Sequence, residues 1–166
     1  MLCSECNKSE LIERQENIRY EESGIPNVVL EAVKVRQCPT CGHRLVSIPR
    51  ISELHRCIAV HLVKKTSRLA PAEICFLRKS LGWSKSDFAK KMHVNTEQVY
   101  RWESTKSFKS MMIQSELLLR AFVAIGKKIE HYEEQVDRLA TIDTPEASPF
   151  SMIFDNGWHE HQMLAV

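Results

Sequence analysis

The chain has 166 residues, 43% apolar and 27% charged, the balance of an ordinary globular protein, and no run near the roughly 18 uninterrupted apolar residues of a membrane helix. The opening MLCSECNKSE has no basic start followed by an apolar stretch, so a secretory leader is not expected and the cytoplasmic compartment, where disulfides are rare, is the default. The formal net charge of +2 hides an asymmetry: residues 64–109 hold eleven Lys/Arg against four acids, and residues 127–166 hold three against eight, which suggests a polyanion-binding centre followed by an end that avoids polyanions.

The first elements lie between two Cys-x-x-Cys knuckles, Cys3/Cys6 and Cys38/Cys41, separated by 31 residues. Residues 17–22 and 28–37 read as strands, with Val29, Val33 and Val35 partly alternating with polar neighbours. The turn-forming run Ser23-Gly24-Ile25-Pro26-Asn27 joins them into a hairpin that brings the knuckles together. Four thiolates suit one structural zinc per chain, in a closed tetrahedral shell that leaves His43 a bystander. A redox pair would need a βαβ context, and a short hairpin has too little core to stand without a staple. Cys57 and Cys75 fall on apolar helix faces and read as ordinary buried residues.

Helical spacing follows. Ile51, Leu54, Ile58 and Leu62 place a helix from Pro49-Arg50 to about Lys65. Pro71 and Glu73 open the next, with Gly82 as its C-cap. Ser84 with Asp87, and Asn95 with Gln98, mark two further starts. A helix over 110–125 would bury Leu117, Leu118 and Phe122. Ile129, Tyr132, Val136 and Leu139 continue a helical stripe beyond a possible break at Gly126, and the tail after Thr141 reads as irregular. The predicted fold class is α+β. A zinc-binding β domain (1–49) is followed by a helical linker (50–69), an all-α helix-turn-helix domain (70–126), and an acidic helical extension with an irregular tail (127–166).

The stretch SKSDFAKKMHVNTEQVYRWES carries the sharpest functional signal. Phe88 and the small Ala89 suit a close helix crossing, Val94 plugs the turn, and Val99 and Trp102 anchor the second helix. Thr96, Glu97, Gln98 and Arg101 are left on the opposite face, where a recognition helix meets the major groove. His93 stands where such turns need a left-handed residue, a conformation His tolerates better than most. Any αα-hairpin of a small bundle would share this pattern; the basic surroundings favour DNA.

EICFLRKSLGWSKSDFAKKMHVNTEQVYRWE resembles the Xre/Cro-type helix-turn-helix. Joined to CSEC…NVVLEAVKVRQCPTCG, the chain resembles the MqsA-like (YgiT-type zinc finger) antitoxin and regulator family over about residues 1 to 125. The resemblance implies a bacterial or phage protein, a homodimer reading a palindromic double-stranded operator, repression of its own operon, and in many members neutralisation of a toxin ribonuclease. By similarity, Glu97, Gln98 and Arg101 would read bases, with Thr96 beside them. Arg101 suits guanine, Gln98 adenine and Glu97 cytosine. Lys85, Tyr100, Lys106 and Lys109 would meet the phosphate backbone together with Asn95, which reads first as a helix cap. The expected function is therefore a DNA-binding repressor acting as an antitoxin. The alternatives are a stand-alone regulator without a toxin and, with least support, a metal-dependent enzyme whose only further ligand cluster would be Trp158-His159-Glu160-His161. No catalytic residue is expected. The dimer seam is expected along Leu118, Phe122, Ile129, Tyr132 and Val136.

Overall fold

β2 (Val28–Gln37) is the central strand of a five-stranded sheet, in a computed structural model that describes residues 1–106, 110–130, 132 and 149–161. β1 (Ile12–Arg19) runs antiparallel along one side of it, with Ile12 opposite Gln37 and Arg19 opposite Val29. The other side is shared. β3 (Arg44–Ser47) pairs antiparallel with residues 34–37, and β4 (Phe150–Phe154) pairs parallel with residues 28–31. β5 (Trp158–His161) closes antiparallel on β4.

One irregularity explains why β2 alternates poorly. Its register against β1 shifts between Glu16 and Ile18, and there Ala32 adopts φ 53 while Asn17 Oδ1 accepts its N–H at 3.1 Å. The extra residue of this bulge switches the parity of the strand. Val28 and Leu30 before it and Val33 and Val35 after it are accordingly all buried. The first strand lies earlier than the expected 17–22, because Glu21–Ser23 winds into a 3₁₀ turn closed by Gly24 at φ 72. β3 had no counterpart in the sequence reading.

Among the described residues five α-helices follow the first three strands. α1 (Ile51–Lys64) buries Leu54, Ile58, Ala59, Leu62 and Val63. α2 (Pro71–Ser80) begins with its proline, and Glu73 accepts the Ala70 N–H at 2.8 Å. α3 (Lys85–Lys91) is opened by the Ser84–Asp87 capping box, and α4 (Thr96–Glu103) by Asn95, whose Oδ1 accepts the Gln98 N–H at 2.8 Å. α5 spans Ile113–Lys127.

The chain after residue 110 departs from expectation in three ways. First, α5 buries Glu116, Leu119, Arg120, Val123 and Ala124; of the expected residues Phe122 is half-buried against the core, while Leu117 is half-buried and Leu118 exposed. The inward stripe contains an ion pair, Arg120 to Glu116 at 2.7 Å, so reading apolar residues alone misplaces the face. Second, Gly126 does not break the helix; it lies against Leu81, where an added Cβ would approach Cδ2 to 3.2 Å. The helix ends instead at Lys128, with φ 51, where the Ile129 N–H reaches Ala124 O at 2.8 Å. Ile129 and Tyr132 then pack back on the core, while Val136, Leu139 and Lys109 lie outside the described residues. Third, the tail is not irregular throughout: residues 150–161 form β4 and β5. Backbone pairing with the exposed side of β2 gives this short segment its order, and Trp158 locks it by donating its indole N–H to Pro49 O at 2.7 Å.

A single apolar cluster joins the sheet and the helices, from Tyr20, Leu30 and Val33 through α1 to Phe88, Trp102, Val123 and Trp158. A buried polar knot ties the loop after α1 to α5. Arg120, fully buried, donates to Leu62 O, Val63 O, Lys65 O and Ser67 O, satisfying carbonyls at the end of α1. Its partner Glu116 also accepts from Arg68 at 2.6 Å and from the Leu69 N–H at 3.0 Å. Among the described residues no helix is long and apolar enough to cross a membrane.

Candidate functional site

The two knuckles are built alike. After Cys3-x-x-Cys6, Asn7 turns left-handed (φ 52) and its N–H returns to Cys3 O at 2.9 Å. After Cys38-x-x-Cys41, Gly42 does the same (φ 74), its N–H reaching Cys38 O at 3.0 Å. The β1–β2 hairpin carries the second knuckle to the first. The Cys3 and Cys41 sulfurs stand 3.6 Å apart, as do those of Cys6 and Cys38, and all four lie within 4.8 Å of one another. A tetrahedral ion with metal–sulfur bonds of about 2.3 Å would hold its sulfurs about 3.8 Å apart, so the arrangement fits a metal ion. All four cysteines are free thiols, and Cys3 and Cys38 are buried.

The electrostatics of the cluster favour a cation. Backbone N–H groups of Cys41 and Thr40, helped by the Cys41 and Cys6 thiols, bring the Cys38 thiol down to about 6. Cys41 is pushed up to about 12: the His43 N–H favours its thiolate, but burial and the Cys38, Cys3 and Cys6 sulfurs outweigh it. One proton leaves easily and later ones resist, because negative charges crowd together. A divalent ion removes that repulsion. His43 contributes its backbone, accepting the Cys38 N–H at 2.8 Å, and stands outside the four-sulfur cluster.

The second site is the α3–α4 pair. α3 ends at Met92, and His93 takes φ 53, so the expected left-handed turn is present. The Val94 N–H returns to Ala89 O at 3.0 Å, fixing the angle between the helices. Phe88 meets Trp102 edge to face at 5.9 Å, and Phe88, Ala89, Val99 and Trp102 are buried. Thr96, Glu97, Tyr100 and Arg101 are exposed and Gln98 is half-buried, so the candidate base readers share one accessible face. On that face Arg101 donates to Glu97 one turn away.

The candidate backbone contacts have varied surroundings. Lys85 is not a free surface charge. Its ammonium lies 3.7 Å from the Tyr100 ring centroid and 3.8 Å from Glu103, which Arg78 holds with two hydrogen bonds. Asn95 caps α4, Lys106 is exposed, and Lys109 lies outside the described residues. In the cluster from Trp158 to His161 the side chains go to separate partners: Glu160 to His61 at 2.9 Å and His161 to Glu31 at 2.7 Å. Cys57 donates to Trp158 O at 3.0 Å, a docking contact between α1 and β5 that sequence alone gave no means of pairing. Compared with protein families, with curated proteins and with solved structures, the chain gives no match.

Proposed function

We propose that this protein is a zinc-stabilised, sequence-specific DNA-binding repressor. The observation that carries the reading is the exposed face of α4, a short capped helix set by a left-handed turn against the basic α3. That face offers Thr96, Gln98 and the Glu97–Arg101 pair, groups able to exchange hydrogen bonds with base edges. The Glu97 contact holds the guanidinium in place and offsets its charge until a base edge competes for it.

Zinc is the metal the donors favour: four soft thiolates in a closed tetrahedral shell, with no position left for substrate water. Its role is structural, one ion per chain. A homodimer is the assembly that gives two such helices a palindrome to read, about 34 Å apart. Phe122, Ile129 and Tyr132 pack on the chain's own core, but Leu118 (41% exposed) and Ile125 (76% exposed) leave an apolar stripe on α5 that suits a seam. Resemblance to the MqsA-like family extends the reading to an antitoxin that represses its own operon and binds a toxin; without a toxin partner the same chemistry serves a stand-alone regulator.

Selection from random duplexes tests the proposal. The expected product is a palindrome bound by two chains, as read by sedimentation. Arg101→Ala is expected to weaken that site about 5- to 150-fold and leave random DNA nearly unaffected. Lys106→Ala should weaken both and reduce the salt slope by about one. Equal losses on selected and random DNA for Arg101→Ala would sink the base-reading role.

A further inference from the structure

From a cleft that the DNA reading does not use, we infer that the protein binds a small organic monoanion, a carboxylate with an apolar body. The cleft measures about 350 Å³ and lies where the turn after β1 meets α1, α2 and the end of α5. That volume falls at the lower end of small-molecule sites. Glu22, Ser52, His55, Phe76, Lys79 and Lys127 line it.

Two lysines and one carboxylate line the cleft, and no ion pair of Lys79 or Lys127 is seen among the described residues. Lys127 is held by the fold. Its Nζ donates to Ser80 O at 2.8 Å, and its carbonyl accepts two hydrogen bonds from Arg56. One hydrogen bond leaves the ammonium with further donors for a ligand. His55 adds a directed one. Tyr20, 2% exposed, has its hydroxyl 2.7 Å from His55 Nε2. Burial raises the Tyr20 pKa, with the Glu22 charge adding to it, so the phenol keeps its proton; in the tautomer that would serve a ligand the phenol donates to Nε2 and the imidazole carries its proton on Nδ1. Burial, with the charge of Lys127 adding to it, lowers the His55 pKa, so the ring is a neutral N–H donor at pH 7.

The apolar side of the site is Phe76, 7% exposed and edge-on to His55 at 5.8 Å. With His55 neutral, the lining charges sum to one positive, which matches a monoanion better than a free dianion. The ligand would touch the sheet's connecting turn and three helices at once.

The probes are benzoate and inorganic phosphate, titrated into the metal-loaded full chain and followed by the imidazole resonances of His55. Benzoate is expected to shift them saturably with a millimolar Kd, and phosphate, lacking the apolar body, to bind at least about tenfold more weakly. Lys79→Gln, on an exposed side chain, should cost about tenfold in benzoate affinity, and Lys64→Gln, outside the cleft, nothing. Absence of a saturable shift, equal losses in the two variants, or phosphate binding as tightly as benzoate would each overturn the inference. DNA affinity plays no part in the readout, so the two proposals fail separately.

Discussion

His93 sits in a left-handed conformation that costs an L-residue free energy and glycine almost none. Its own N–H and that of Val94 both return to the end of α3, so the turn is held by geometry that a smaller residue keeps. His93→Gly is therefore expected to raise stability by up to about 1 kcal/mol, the relief of strain exceeding the entropy glycine gains in the unfolded chain. A urea midpoint that rises with unchanged slope would show it; a fall would mean that the imidazole makes a contact worth more than the strain. This residue was legible in the sequence because few side chains tolerate that conformation and it follows a helix of the right length. Arg120 was not. Sequence statistics place charged residues at the surface. Only the fold reveals that Arg120 meets four carbonyls at the end of α1, where a guanidinium can satisfy more acceptors than any other side chain.

At the scale of elements, caps were the readable signals. Ser84 with Asp87 and Asn95 with Gln98 start α3 and α4 as their chemistry requires. The Ser84 hydroxyl and backbone N–H hold the Asp87 carboxyl below the ordinary carboxylate range. A depressed folded pKa means that the box stabilises α3 fully above the unfolded pKa of aspartate, about 3.9, and loses this contribution as pH falls through the folded value. The expected outcome is that Asp87→Asn is less stable than the parent near pH 6 and that the gap narrows below about pH 4. A gap constant with pH would assign the difference to something other than the carboxylate. The β4–β5 hairpin carried a signal too: Asn156-Gly157 stands between the apolar run of β4 and Trp158, and Asn156 adopts φ 56. That signal is faint because strands of five and four residues have little periodicity, and because the partner that orders them, β2, lies far away in sequence. The bulge at Ala32 similarly erased the alternation that would have marked the buried side of β2.

For the whole molecule, the decisive fact is that one apolar cluster runs from the sheet to the helices. β2 ends beside Cys38 and contributes Leu30 and Val33 to that cluster, so the four-cysteine cluster and the core share a strand. Removing the proposed metal is expected to lower the stability of the whole chain in one cooperative transition. With EDTA, the fluorescence of Trp102 in α4, read in a Trp83→Phe, Trp158→Phe background, should report the same lowered midpoint as far-UV circular dichroism. If Trp102 kept its original midpoint while the sheet melted, the two halves would be energetically separate. The knuckles and the α3–α4 pair were both visible in sequence because their residue types and spacing are local. The way the halves join was not, since it rests on Trp158, Tyr20 and Arg120, each meeting residues distant in the chain.

The parallel pairing of β4 with β2 also sets a schedule for biosynthesis. Residues 28–31 offer a strand edge whose partner is translated about 120 residues later, a delay on the order of 6–25 s at ribosomal speeds. During that interval the metal knuckles can already close, while the edge beside them stays open to pairing with another nascent chain. Capture of the proposed metal at that stage would act in time as well as in energy, fixing the hairpin before the strand that shields it exists.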